Sequence, residues 1–170
     1  EFERIGDYSI NLMECAEVLY NKQAKFSEKA MLELRAISSA VEEIIQMALV
    51  AYRERDILTA MHIEPLEETI DTLQDALKLK HIKRLKNGEC TIDTGLVFLE
   101  ILTNMERISD HCSNVGVYLI GHQKDSETLN RHEYIKKMHQ GDTGDYNEWM
   151  HEYMEKYVVT LANEVKQLKK

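Results

Sequence analysis

Two stretches of the chain carry nearly the same nine residues. Glu3-Arg4-Ile5-Gly6-Asp7-Tyr8-Ser9-Ile10-Asn11 stands near the start, and Glu106-Arg107-Ile108-Ser109-Asp110-His111-Cys112-Ser113-Asn114 recurs far downstream. Five of the nine positions are identical: the Glu, Arg, Ile, Asp and Asn. The oxygen-bearing residues fall at i, i+4 and i+8, which on a helix sets three polar side chains along one face. Core packing alone does not explain a duplicated unit whose polar positions match. Gly6 and Ser109 keep a small residue beside the acids, so a neighbouring helix can approach closely. Arg4 and Arg107 can orient a carboxylate or offset part of its charge.

A further acidic pair lies in Glu67-Glu68-Thr69-Ile70-Asp71. Leu66 and Ile70 belong to an apolar face, which places Glu67 and Asp71 at its rim. If the helices bearing these motifs pack antiparallel, Glu67, Asp71, Glu106 and Asp110 converge. Four carboxylates that close repel one another unless a proton, an Arg or a cation sits among them. Carboxylates are hard oxygen donors, so Mg, Mn, Fe or Ca suits them better than a thiolate-seeking metal. The expected occupant is a divalent or trivalent ion (Fe, Mn, Mg or Zn) held by Glu67, Asp71, Glu106 and Asp110, with Glu3 and Asp7 as the matching pair of the first copy. The competing reading is a set of salt-bridged surface helices.

Helical periodicity supplies the frame for these residues. A first helix is predicted from about Phe2 to Tyr20, breaking at Asn21 to Lys25. Ser27 caps a second that ends near Arg53 to Arg55, and Asp56 caps a third that stops at Gly88. Pro65 lies inside that third segment and predicts a kink or a late restart. Thr91 caps a fourth, which Gly121 should close. A polar stretch follows, with room for a short helix from about Glu127 to His139. An amphipathic helix from about Tyr146 to Leu168 then docks its apolar face on the rest. Short connections make neighbours antiparallel, so the fold class is all-α, an antiparallel helical bundle.

Composition agrees. The 170 residues include only one Pro and seven Gly, few breaks for a chain of that length. The formal net charge is -9, and Lys and Arg do not gather on one obvious stripe, which argues against nucleic acid as a partner. The three cysteines, Cys15, Cys90 and Cys112, are odd in number and lack metal-type spacing, which fits a reducing compartment. No apolar run reaches the length of a membrane helix and no signal peptide is visible. The chain opens in helical pattern without a start Met and reads as a fragment of something longer.

Several single residues deserve weighing. His111 follows Asp110 and can ligate or support a ligand, although a lone helix His is more often surface or satisfied core. Cys15 and Cys112 sit at apolar-face spacing and read as buried hydrophobes. Glu148 and His151 have the Glu-x-x-His spacing of half a di-iron carboxylate site, but that fold needs two such motifs and two further Glu residues. No Gly-rich phosphate loop and no nucleophile beside a base is present, so no catalytic residue is assigned.

The Glu-Arg-Ile-Gly/Ser-Asp-x-x-x-Asn nonamer resembles the signature of the PhoU family. That resemblance implies paired three-helix bundles whose second and third helices carry acidic motifs binding multinuclear metal clusters. By the same likeness, residues 1–20 are the last helix of a truncated first repeat, 27–121 a complete second repeat, and 122–170 a C-terminal extension. Glu67 to Asp71 and Glu106 to Asp110 fall where the second- and third-helix motifs belong. Glu3 to Asp7 matches a third-helix motif whose second-helix partner is absent here.

The stretches from His81 to Cys90 and from Phe98 to Cys112 look like the cytosolic tail of bacterial sodium/phosphate cotransporters; no chemistry is assigned to His81 or Cys90. The resemblance implies a regulatory, metal-binding, non-enzymatic module of phosphate uptake on the cytoplasmic side of the bacterial inner membrane. Its partner would be the membrane domain of the same transporter, with a homo-dimer also admitted. A metal-free helical interaction scaffold and a di-iron carboxylate enzyme using Glu148 and His151 are the alternatives.

Overall fold

The computed structural model describes residues 1–123 and 145–168, all helical apart from short turns. Helix α1 spans Phe2–Asn21. Helix α2, Glu28–Glu54, starts where Ser27 Oγ accepts from the Ala30 amide at 3.2 Å. It ends at Arg55, whose φ of 53° takes the backbone into the left-handed region. Asp56 at once caps α3, Ile57–Lys86, by accepting from the Thr59 amide at 3.2 Å. Gly88, at φ +70°, makes the turn after it, a conformation open to glycine without strain. Thr91 Oγ1 accepts from the Thr94 amide at 3.2 Å and opens α4, Ile92–Gln123. The predicted caps therefore stand where the sequence puts them.

Two expected breaks do not occur. Helix α3 runs through Pro65 without restarting. Pro65 and its neighbours Ile63 to Glu67 are buried, so packing holds the backbone helical despite the missing N–H. Gly121 does not close α4, which continues to Gln123: Gly88 is the one described glycine with positive φ, so Gly121 keeps helical geometry. The short helix expected over Glu127 to His139 lies outside the described residues.

Helices α2, α3 and α4 form a three-helix bundle around Ile37, Ile44, Leu66, Ile70, Leu73, Phe98 and Leu102. Helices α3 and α4 run antiparallel, Gly95 meeting Leu85 at one end and Gly116 meeting Ala60 at the other, where a Cβ would sit 3.2 Å from the Ala60 carbonyl oxygen. Helix α1 lies antiparallel along α4, with Asn11 Nδ2 donating to Asn104 Oδ1 at 3.0 Å and Lys22 pairing with Asp93 at 2.9 Å. Cys15 and Cys112 are both buried, as their spacing suggests.

The C-terminal helix has three parts that follow without a gap: α5 (Tyr146–Tyr153), a π-helical segment (Met154–Val159) and α6 (Thr160–Gln167). It docks on α2 and α3, stacking Trp149 on His62 at 4.0 Å and bringing Lys156 Nζ to Glu43 at 2.8 Å. No described helix is long and apolar enough to cross a membrane.

Candidate metal centre

Helix α3 brings five acids to its first two-thirds: Glu64, Glu67, Glu68, Asp71 and Asp75. Helix α4 brings Glu106 and Asp110 to the adjoining face. Carboxylate oxygens of Glu67, Asp71 and Asp110 lie within 4.8 Å of one another. Oxygens of Glu64, Glu67 and Glu68 form a second group of the same tightness. Glu67 belongs to both, so the two groups share one carboxylate.

Burial sharpens the repulsion. Glu67 is 9% exposed, deeper than the rim position its spacing suggests. Ile63, Leu66 and Ile70 carry that face of α3 into the core, and the acid goes with them. Burial, then the charges of Glu64 and Asp71, hold the Glu67 carboxyl well above the usual carboxylate range. Burial and the nearby Glu106 and Asp110 charges push Asp71 up to about 6. Burial and Asp110 also raise Glu106, against an opposing pull from Arg107 and Lys78. Each effect disfavours the charged form and makes a cation welcome.

Some acids already have partners. Ser113 Oγ donates to Glu64, and Arg107 lies 3.7 Å from Glu106 and 3.6 Å from Asp110. Arg107 thus takes the orienting place expected of it. Asp71 Oδ1 is buried with no hydrogen-bond partner. A buried acceptor without a donor is costly, and a hard cation at the Glu67–Asp71–Asp110 junction would satisfy it. The residues present fit an oxygen-ligated ion: all donors are carboxylates, with neither thiol nor imidazole in either group.

The predicted residues separate into two sets. Glu67, Asp71 and Asp110 come together, and Glu106 adjoins them closely enough to raise Asp71. Glu3 and Asp7 do not join them: both are exposed on α1 and fall in no such group among the described residues. His111 turns toward α1, where its Nδ1 meets the Glu1 carboxylate and its ring stacks on Tyr8 at 5.6 Å. Glu148 and His151 are exposed, so the di-iron reading, which needs that pair buried between four helices, is set aside. Sequence reasoning missed Glu64 and Glu68; their i, i+4 spacing, interleaved with Glu67 and Asp71, was the available signal.

A three-helix bundle with an acid-lined seam between two of its helices is the class of protein this geometry defines. The PhoU domain family matches residues 34–118, and the chain belongs to that family. The matched stretch covers α3 entirely and ends inside α4, so it contains both acidic motifs of the seam. The chain is similar to the phosphate-specific transport system accessory protein PhoU homolog 1 of Thermotoga maritima, 27% identical over 115 residues, which is 68% of this chain and 49% of that protein. The corresponding homologue of Zymomonas mobilis is 27% identical over 114 residues, 67% of this chain and 47% of its own length. That of Pseudomonas aeruginosa is 26% identical over 123 residues, 71% of this chain and 50% of its own. The chain thus spans about half the length of these relatives. No solved structure matches it.

Proposed function

We propose that this chain is a regulatory module of phosphate transport whose α3–α4 seam holds a divalent or trivalent metal ion. The observation that carries the metal half is the convergence of Glu67, Asp71 and Asp110, together with the buried, partnerless Asp71 Oδ1. The relatives' description as phosphate transport accessory proteins supports the regulatory half. Binding would draw the seam closed, tying α3 to α4 through one ion and fixing the surface that a transport protein reads. Glu64 and Glu68 extend the donor set to a second ion sharing Glu67.

The transporter-tail likeness of the segments from His81 to Cys90 and from Phe98 to Cys112 favours a cytosolic domain of a sodium/phosphate cotransporter, with that transporter's membrane region as partner. Sodium-dependent phosphate uptake by cells making the full-length protein, with and without this domain, tests that assignment. Uptake insensitive to both sodium and the domain would remove it.

For the metal, the purified chain is compared with a Glu67→Ala/Asp71→Ala variant by elemental analysis and by melting with and without chelator. The expected result is bound metal and a chelator-sensitive melting temperature in the parent only, because a ligand of the native state stabilises it by mass action. Equal metal content in both proteins, or melting indifferent to chelator, would leave a helical scaffold with solvated acids.

A further inference from the structure

The sequence as a whole shows no basic stripe, but α3 carries one at its C-terminal end. Residues 78–86 hold Lys78, Lys80, Lys83, Arg84 and Lys86 and no acid, in a chain of net charge -9. Arg84 is turned inward and paired with the buried Glu33 at 2.6 Å. Lys80, Lys83 and Lys86 are exposed and make no ion pair among the described residues. Leu79, Ile82, Lys83 and Lys86 stand at i, i+3, i+4 and i+7 and so share one face. On that face Leu79 is 70% exposed and Ile82 is 41% exposed.

Across the turn, the first turns of α4 leave Ile92 75% and Leu96 61% exposed. The two helices touch there, since a Cβ on Gly95 would run into Leu85. The tip of the α3–α4 hairpin therefore combines protruding aliphatic side chains with three unpaired lysines, against two exposed acids: Glu89, and Asp93, which Lys22 already pairs. Lysines in a helix's last turn complement its dipole, which accounts for Lys83 and Lys86. It accounts neither for Lys80 nor for aliphatics left in water.

We propose that this hairpin tip docks on an anionic lipid surface. Lysines paired with exposed aliphatics on one face are the arrangement that seats a helix at a headgroup layer, apolar groups entering and ammonium groups meeting phosphate. Nucleic acid fits less well: it offers the aliphatics nothing. The contact does not depend on the metal site, and it would orient the seam relative to the membrane.

The test is co-sedimentation of the chain with phosphatidylcholine vesicles, with and without phosphatidylglycerol, at low and high salt. Binding is expected only with phosphatidylglycerol and should weaken in salt. Lys80→Glu/Lys83→Glu/Lys86→Glu should lower the affinity at least about a hundredfold, at about fivefold for each lysine's lost attraction before the added repulsion of the glutamates. Leu79→Ser/Ile82→Ser should weaken binding less while leaving its salt dependence. All these side chains are exposed, and a cooperative melt with parental helix content verifies that both variants fold. Equal binding to both vesicle types, no binding to either, undiminished binding by the lysine variant, or preference for duplex DNA over the anionic vesicles would each overturn the proposal.

Discussion

The two copies of the nonamer share five residues and meet different fates. In α4, Ile108 and Ser109 are buried, and Asp110 faces Glu67 and Asp71 across the α3–α4 seam. In α1, Ile5 packs against the bundle, but Gly6 has open space around it and Glu3 and Asp7 point to solvent. The same local chemistry is thus a candidate ligand set in one place and a solvated face in the other. What differs is the neighbouring helix. Helix α3 supplies two further acids and a low-dielectric wall to the second copy, whereas α1 packs chiefly on α4 and its Glu3 and Asp7 join no carboxylate group among the described residues.

The largest expected effect tests that contrast directly. Glu106→Ala/Asp110→Ala should lower metal affinity at least about a hundredfold, since even groups that only support ligands contribute ten- to a hundredfold. Glu3→Ala/Asp7→Ala should leave it unchanged. Titration of the metal-free chains with Mn, read by calorimetry, separates the outcomes; an equal loss from both variants would mean that the copies are equivalent.

A second contrast compares the shared isoleucine. Ile108 is 1% exposed at the centre of the bundle, and Ile5 is 8% exposed on a helix flanked on fewer sides. Ile108→Ala should cost about 4 kcal/mol and Ile5→Ala about 2 kcal/mol, because the more enclosed site collapses less around its cavity. Urea denaturation of the metal-free proteins measures both. A larger loss at position 5 would mean that α1 is more central to the fold than its packing indicates.

The frame was legible because its signals are local. Ser27, Asp56 and Thr91 each use a side-chain oxygen to satisfy an amide three residues on, and Gly88 adopts the positive φ expected of a helix stop. The late restart expected at Pro65 does not occur, because local propensity yields to packing where the residues around it are buried. The site was half legible. Repetition exposed Glu106 and Asp110, but Glu64 and Glu68 belong to no repeat, and an i, i+4 acidic pair by itself looks the same on a solvated helix face. The basic tip was hidden by counting charge over the whole chain, where five cations in nine residues vanish into a net of -9. The π-helical segment left no trace in residue type that we can identify.

The smallest effect concerns protons. Asp71 is held near 6 in the folded chain, above the value of about 3.9 for an unperturbed Asp. Between those values the folded state binds more protons than the unfolded one, so stability falls as pH rises from about 4 to about 6. Burial and its acidic neighbours drive Glu67 in the same direction, extending the decline upward in pH. Asp71 is only half-buried, and solvent screening reduces its share to about 1 kcal/mol. The metal-free chain should therefore melt a few degrees lower at pH 7 than at pH 5. Glu67→Gln should flatten that slope and Glu3→Gln should leave it intact, because only the second copy of the motif has acids pressed against it. A melting profile that rises over this range, or a slope indifferent to position 67, would show that the seam's carboxylates ionise without strain and have no need of a cation.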